Sequence, residues 1–500
     1  MNVIHVGVVI AAGTLATAVP AHAAKWTITP SASAEEEFTD NLGLRSDSQD
    51  RNSDFISTLT PAISVRGNGG RVNLNGDYSY SRLFHVHATD QDGGRNNLNA
   101  SGSAELWEQS LFLDGAAQMA QQIANTQGPI SQSTANANVN TLETTTWSIG
   151  PRFLHHFGTW AETTSIMSRS AVSTNNNNAT GTTPTTVTGG RPIGNSTTDR
   201  TSFVMRSGRQ FTQVLWSVTG DVSKTSSEEA PHHSDKLGRA DLTYVVNREL
   251  SLTGGGGAQV ISDDSLTKEP HGPIWSVGAV LHPGPRTTLQ FAYNSQFDSK
   301  FFTYSGAYNV SSRTSLSFSH TENVQTTSQI LAQNLAFITL SSDGTLVDSR
   351  TGLAFNPALN PPGLQTETVH QKTWIANFSS TLGRNRYNAA LNRTESTVER
   401  TGQVTTSSGV ALTYGRSLTH RLNGTVSVNY QIADTSNAPA TVAPGTQSST
   451  TNLLVSGNLA YSLARNTSLN LNVHTSNFDA GDPTRNTHEK AASITLSRTF

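Results

Sequence analysis

The chain has 500 residues; charged side chains make up 14% of them and the formal net charge is −3. Typical soluble domains carry about 25% charge, so a densely charged soluble surface is excluded, and the balance selects no nucleic-acid partner. Cysteine is absent, which removes disulfides, thiolate nucleophiles and cysteine metal sites together.

Residues 1–23 read as a secretory signal. An apolar run opens at Val6–Ile10, and Ala21-His22-Ala23 supplies the small-x-small cleavage pattern, placing the mature start at Ala24. No later stretch approaches about 18 apolar residues, so no transmembrane helix is expected. Apolar residues recur instead with period two, a pattern that a helix would scatter around its axis.

The first predicted strand, near Ile28, carries Glu35-Glu36-Glu37. Alternation puts Glu35 and Glu37 on one face, at the periplasmic or lumenal end. The next strand presents Phe55, Leu59, Ile63 and Val65. Pro61 inside it lacks a ladder donor and predicts a bulge or a local break. Val72, Leu74, Tyr78 and Tyr80 alternate after it, as do Trp275, Val277, Ala279 and Leu281 further on. The pattern is sharpest near the end, in runs such as Val426, Val428, Tyr430 and Ile432, or Leu469, Leu471 and Val473. The terminal segment EKAASITLSRTF puts Ile494, Leu496, Arg498 and Phe500 on one face and Ser493, Thr495, Ser497 and Thr499 on the other. One greasy and one small polar face suit a wall between lipid and lumen.

These segments predict an all-β chain: residues 24–500 form a single closed antiparallel transmembrane β-barrel of about 22 strands (range about 18–22, even numbers preferred). The segments near Ile28 and Thr201 show the pattern least clearly. Short turns at 67–70, 107–110, 157–160, 247–250, 282–286, 383–386, 419–423 and 464–467 alternate with long segments such as 174–200, 326–368 and 433–450. Short periplasmic turns, long extracellular loops and a Gram-negative outer membrane follow. Residues 326–368 contain QILAQNLAFITL, readable as an inward-folding plug or as a loop packed on the rim; the rim is preferred. Trp107, Trp147, Trp160, Trp275 and Trp374 fall near predicted strand ends, where interfacial aromatic belts form, and Trp216 falls nearer mid-strand.

Chemistry-bearing patterns are sparse. His85 and His87 share a strand face without an identifiable third metal ligand. Gly254–Gly257 lacks the Lys-Ser or Lys-Thr of a phosphate loop and suits sharp curvature or a close approach. No catalytic residues, cofactor or metal are assigned. Arginines recur along strands, at Arg82, Arg152, Arg169, Arg206, Arg239, Arg384, Arg386, Arg393, Arg416 and Arg498. Those facing the lumen would attract anionic or sugar ligands, and others would snorkel at the rims.

Residues 26–44 (WTITPSASAEEEFTDNLGL), with the block Phe38-Thr39-Asp40-Asn41, resemble the opening of the PEP-CTERM system-associated outer-membrane β-barrel family of exopolysaccharide-producing bacteria. Residues 53–81, with Asp54, Pro61, Gly67 and Tyr78 at family-like places, and residues 98–122 extend the resemblance. Phe38 stands where the family more often has Tyr. The resemblance implies a barrel for exopolysaccharide export or cell-surface organisation, with polysaccharide export components as partners and no catalytic set. A small-solute diffusion porin and a lipid- or glycan-modifying enzyme are the alternatives. Outer-membrane lipid and the barrel assembly machinery are the other expected partners, the latter reading Ile494, Leu496 and Phe500 as a terminal signal.

Overall fold

The computed structural model describes residues 25–123, 128–133, 135–136, 141–175, 195–227, 232–264, 269–297, 299–326, 330, 338–340, 346–348, 353–354, 368–436, 448–482 and 484–500. The expected signal segment, with Ala21 and Ala23, lies outside the described residues.

Twenty-two long strands form one antiparallel sheet. The first group is β1 (Lys25–Thr39), β2 (Asp54–Asn68), β3 (Val72–His85), β4 (Gly93–Trp107), β5 (Leu111–Ile123), β6 (Thr141–Phe157), β7 (Ala161–Asn175) and β8 (Ser196–Ser207). Next come β9 (Val214–Ser227), β10 (His233–Val245), β11 (Leu250–Asp263), β12 (His271–Gly284), β13 (Thr287–Gln296), β14 (Ser299–Ser311) and β15 (Thr314–Thr326). Three short strands, β16 (Ile338–Leu340), β17 (Leu346–Asp348) and β18 (Leu353–Ala354), make a separate small sheet. The wall resumes with β19 (Thr368–Leu382), β20 (Asn385–Val398), β21 (Val404–Ser417), β22 (Leu422–Ser436), β23 (Ser448–Ala464), β24 (Thr467–Asp479) and β25 (Thr487–Thr499).

Successive wall strands pair as hairpins, and β25 closes on β1 with Phe38 opposite Ala492 and Ala34 opposite Leu496. Closure satisfies backbone groups that lipid could not. The expected count of 22 therefore holds. Several strands begin earlier than their alternation shows, such as β6 at Thr141 and β8 at Ser196. These early turns lie toward the long loops, where polar residues on both faces hide the period.

Pro61 gives a local break rather than a bulge. Leu59 pairs with Arg82 and Ala62 with Ser79, so the register continues across an interrupted ladder. Pro151 interrupts β6–β7 in the same way, between the Ile149–Arg169 and Arg152–Ile166 pairs. Each proline removes one N–H, and the sheet keeps its register around the loss.

The outward face is apolar. Val277, Phe302, Leu391, Leu412, Val473, Ile494 and Leu496 are exposed on it, as a lipid-facing band requires. No helix among the described residues is long and apolar enough to cross a membrane. Buried residues gather instead at the long-loop end, where parts of two connections fold across the barrel.

The β5–β6 connection is one of them. Its Ile130 packs on Leu454 of β23, and Ala135 joins Leu42, Ile56 and Leu83 in a buried cluster. The other is the β15–β19 connection. There β16 lies beside β4, although the connection leaves the wall at β15, half-way round the 22-strand ring. β16 thus lies across the mouth from the strand at which its connection begins. Within QILAQNLAFITL, Ile330 packs on Val369 and Val398 beside its own strands, as the rim reading expects, whereas β16 has reached β4; residues 331–337 between them lie outside the described residues.

Candidate functional site in the barrel lumen

Register fixes which side chains face the interior, and the interior has two unlike halves. On β12–β15 and β19–β24, ten strands of the wall, the one formal charge at a lumen-facing register position is Arg386. The other positions hold Ser, Thr, Asn, Gln, Gly, Ala, a few apolar residues and the imidazoles of His282 and His474. Asn294, Asn377, Asn392, Asn429, Asn458 and Asn472 belong to this face. Asn470 and Asn472 alternate with the outward Leu469, Leu471 and Val473, so the period that builds the lipid band also builds an amide-lined lumen.

The opposite half carries the charge, mostly in pairs. Arg66 grips Asp77 at 2.8 Å, Arg152 meets Asp114 at 2.6 Å and Arg200 meets Asp221 at 2.7 Å. Arg239 meets Asp241 at 2.7 Å. The four-glycine run lies under this last pair. A Cβ on Gly255 would stand 1.9 Å from Asp241 Oδ1 and 2.8 Å from Arg239 Nη2. The glycines therefore serve close approach: the pair lies flat over β11, and Arg239 reaches Ser276 on β12.

Among the recurrent arginines, Arg152, Arg206, Arg239 and Arg386 take lumen-facing positions. Arg82, Arg169, Arg393, Arg416 and Arg498 take outward ones, and Arg384 lies in a turn. Arg498 sits 5.3 Å over the Phe500 ring. Phe500 is 64% exposed and donates its backbone N–H to Pro30 O at 2.9 Å.

A buried carboxyl group organises the long-loop end. Glu489 of β25 has no exposed surface. It accepts from Thr39 Oγ1 at 3.0 Å, Ser131 Oγ at 2.6 Å and Ser476 Oγ at 3.2 Å. Asn136 Nδ2 also donates to it, and donates to Asn41 O at 3.0 Å. Gly43 N donates to Asn136 Oδ1 at 2.7 Å. Ser131 and Asn136 come from the β5–β6 connection, so one wall carboxyl fastens a segment that has folded inward. Sequence reading missed this connection. A run of Ser, Thr and Asn looks solvated, and nothing local marks its distant acceptor.

A second fastening holds the return of the β15–β19 connection. Thr368 Oγ1 donates to Asp263 Oδ2, and His233 Nδ1 stands 3.4 Å from the same oxygen. All three residues are buried. Thr368 and Asp263 both approach Nδ1 of the imidazole, at 3.3 and 3.4 Å. A relay would use its two nitrogens in turn, so this set is a tie between strands.

The other sequence candidates separate. His85 faces Asp92 at 3.2 Å and His87 faces Asp54 at 3.0 Å, so the two imidazoles serve different carboxylates. No group that could hold a metal occurs among the described residues. The acidic run lies near the end of β1 that leads to the long loop, not at the periplasmic end: Glu35 accepts from Thr495 Oγ1 at 2.6 Å, Glu37 is buried, and Glu36 points outward to Ser57. Trp107 and Trp160 sit at the short-turn end, and Trp216 belongs with them, 5.4 Å from Trp160, correcting its mid-strand assignment. Trp147 and Trp275 are exposed toward the other end, while Trp374 stacks on His320 at 4.5 Å within the wall.

No protein-family model and no curated protein matches the chain. Among solved structures it is similar to the siderophore receptor PirA from Acinetobacter baumannii, at 8% identity over 95% of this chain and 81% of that one, with TM-score 0.52. The ferric-catecholate import receptor Fiu from E. coli K12 gives 11% identity over 95% and 82%, with TM-score 0.52. The FrpB iron transporter from Neisseria meningitidis gives 10% identity over 94% and 82%, with TM-score 0.50. At such identities the likeness is one of fold. With its closed wall, apolar outer band and polar lumen, the chain is a β-barrel of the Gram-negative outer membrane.

Proposed function

We propose that the barrel serves exopolysaccharide export or cell-surface organisation, as the resemblance of residues 26–122 to PEP-CTERM system-associated barrels implies. The observation that supports this reading is the ten-strand wall on which Arg386 is the one formal charge facing the lumen. A polymer rich in hydroxyls can exchange hydrogen bonds along Ser, Thr and Asn side chains without being held by a fixed charge. Export components would dock at the short-turn end, and no reaction or cofactor is assigned. Deletion of the gene should lower released polymer while small-nutrient uptake changes little. Polymer assay in deletion and complemented strains, with envelope integrity controlled, tests it. Normal export with a clear small-solute defect would select the porin reading, which the paired charges of β2–β11 favour.

We also assign Ile494, Leu496 and Phe500 to recognition by the barrel assembly machinery, since all three are exposed on the lipid side. Removing Phe500 should lower the yield of inserted barrel several-fold and raise periplasmic degradation. Unchanged insertion kinetics in a strain with intact quality control would refute the assignment.

A further inference from the structure

We propose that this sparsely charged wall holds a binding recess for neutral carbohydrate, on the lumen side of β13, β14, β15 and β19. The proposal rests on the reading of the barrel as a passage for sugar polymer and names a place where single units of that polymer pause. Its origin is a step in side-chain size. Ser305 and Ala307 of β14 stand beside Ser319 and Ser317 of β15 in register. Taller side chains flank this floor: Gln290 on β13, and Ile375 and Asn377 on β19. The step leaves a recess of about 340 Å³, within the size range of small-ligand sites.

Its chemistry selects the ligand. Hydroxyls line the floor and carboxamides the flanks, so donors and acceptors are both at hand. Ala307 and Ile375, one on each side of β15, add apolar surface for the C–H groups of a sugar ring. No charged side chain lines the recess, so an anionic sugar would lose hydration there without finding a counter-charge. Asn377 Oδ1 has no hydrogen-bond partner among the described residues. A ligand hydroxyl that draws this carboxamide toward the lumen would satisfy it.

The test uses the full barrel with a linear neutral gluco-oligosaccharide, and an oligogalacturonate of equal length as the charged probe. Calorimetry on the detergent-solubilised protein reads binding even where the inward-folded segments limit conduction, and current blockade in planar bilayers reads dwell time. The neutral probe should bind. Gln290→Leu with Asn377→Leu should weaken it about five- to tenfold, and Ser317→Leu, which fills the floor, should abolish it. Heat-modifiable migration verifies that each variant is folded. Absence of neutral-probe binding, equal binding by the variants, or tighter binding of the charged probe would each overturn the recess. Polymer release in the deletion strain is scored separately. Release that does not depend on the protein, with sugar binding intact, would remove the export reading and leave the recess standing.

Discussion

Replacing Glu489 by alanine should free the β5–β6 segment and widen the lumen. The carboxyl group accepts from Thr39, Ser131, Asn136 and Ser476, and it is fully buried. Each buried donor left without an acceptor costs about 1–3 kcal/mol. Thr39 and Ser476 belong to the wall and are held by its ladders, so the loss falls on Ser131 and Asn136. The packing of Ile130 on Leu454 and of Ala135 on its cluster remains, as do the bonds of Asn136 with Asn41 and Gly43 and of Arg95 with the Ala135 carbonyl, yet these few contacts must then hold the segment without its central acceptor. We expect Glu489→Ala to keep its heat-modifiable migration, to show faster amide exchange at 128–136, and to conduct more than the parent in planar bilayers. Glu489→Gln should fall between, because one acceptor oxygen survives while its amide opposes the donors. Unchanged exchange and conductance in Glu489→Ala would mean that the apolar packing and the bonds to Asn41, Gly43 and Arg95 seat the segment without the carboxyl group.

The sequence made the wall legible because lipid and lumen impose opposite demands on alternate residues. The outward row of Leu469, Leu471 and Val473 marks β24 from its start at Thr467, whereas that of Val410, Leu412 and Tyr414 shows β21 only from near Ser408, four residues after it begins at Val404. Strand ends that rise beyond the lipid lost that contrast, so β6 and β8 read too short. The sparsely charged half of the lumen is present in the same rows, in residues such as Asn470 and Asn472, but alternation alone does not say how many neighbouring strands share a character. That follows from the closed order of the sheet. The Glu489 hub was illegible for a different reason. Its partners lie in β1, β24 and the β5–β6 connection, brought together only by closure and by an inward fold. In sequence, Ser131 and Asn136 are indistinguishable from the polar residues of any outward loop.

Gly257→Val should prevent most of the protein from reaching the closed barrel, whereas Gly255→Ala should not. The two glycines face the lumen on the same strand, and the difference lies in what a side chain would strike. A Cβ at Gly257 would fall 2.0 Å from the Gly238 carbonyl oxygen and 2.8 Å from Arg239 Cα. Both are backbone, and β10 is fixed on its other edge by β9, so relief requires the β10–β11 ladder to part. Overpacking a fitted interior costs about 1–3 kcal/mol when side chains can adjust, and here the strand itself must move. At Gly255 the first atom met is Asp241 Oδ1, the free end of a side chain. It can swing aside, which breaks the 2.7 Å contact with Arg239 and leaves the wall intact. Heat-modifiable migration of each variant from outer-membrane fractions separates the outcomes. Gly257→Val should lose most of the folded band, and Gly255→Ala should keep it with altered ion selectivity in bilayers, as Arg239 is released toward the lumen. A folded, abundant Gly257→Val barrel would show that β10 and β11 tolerate a wider spacing than their register implies.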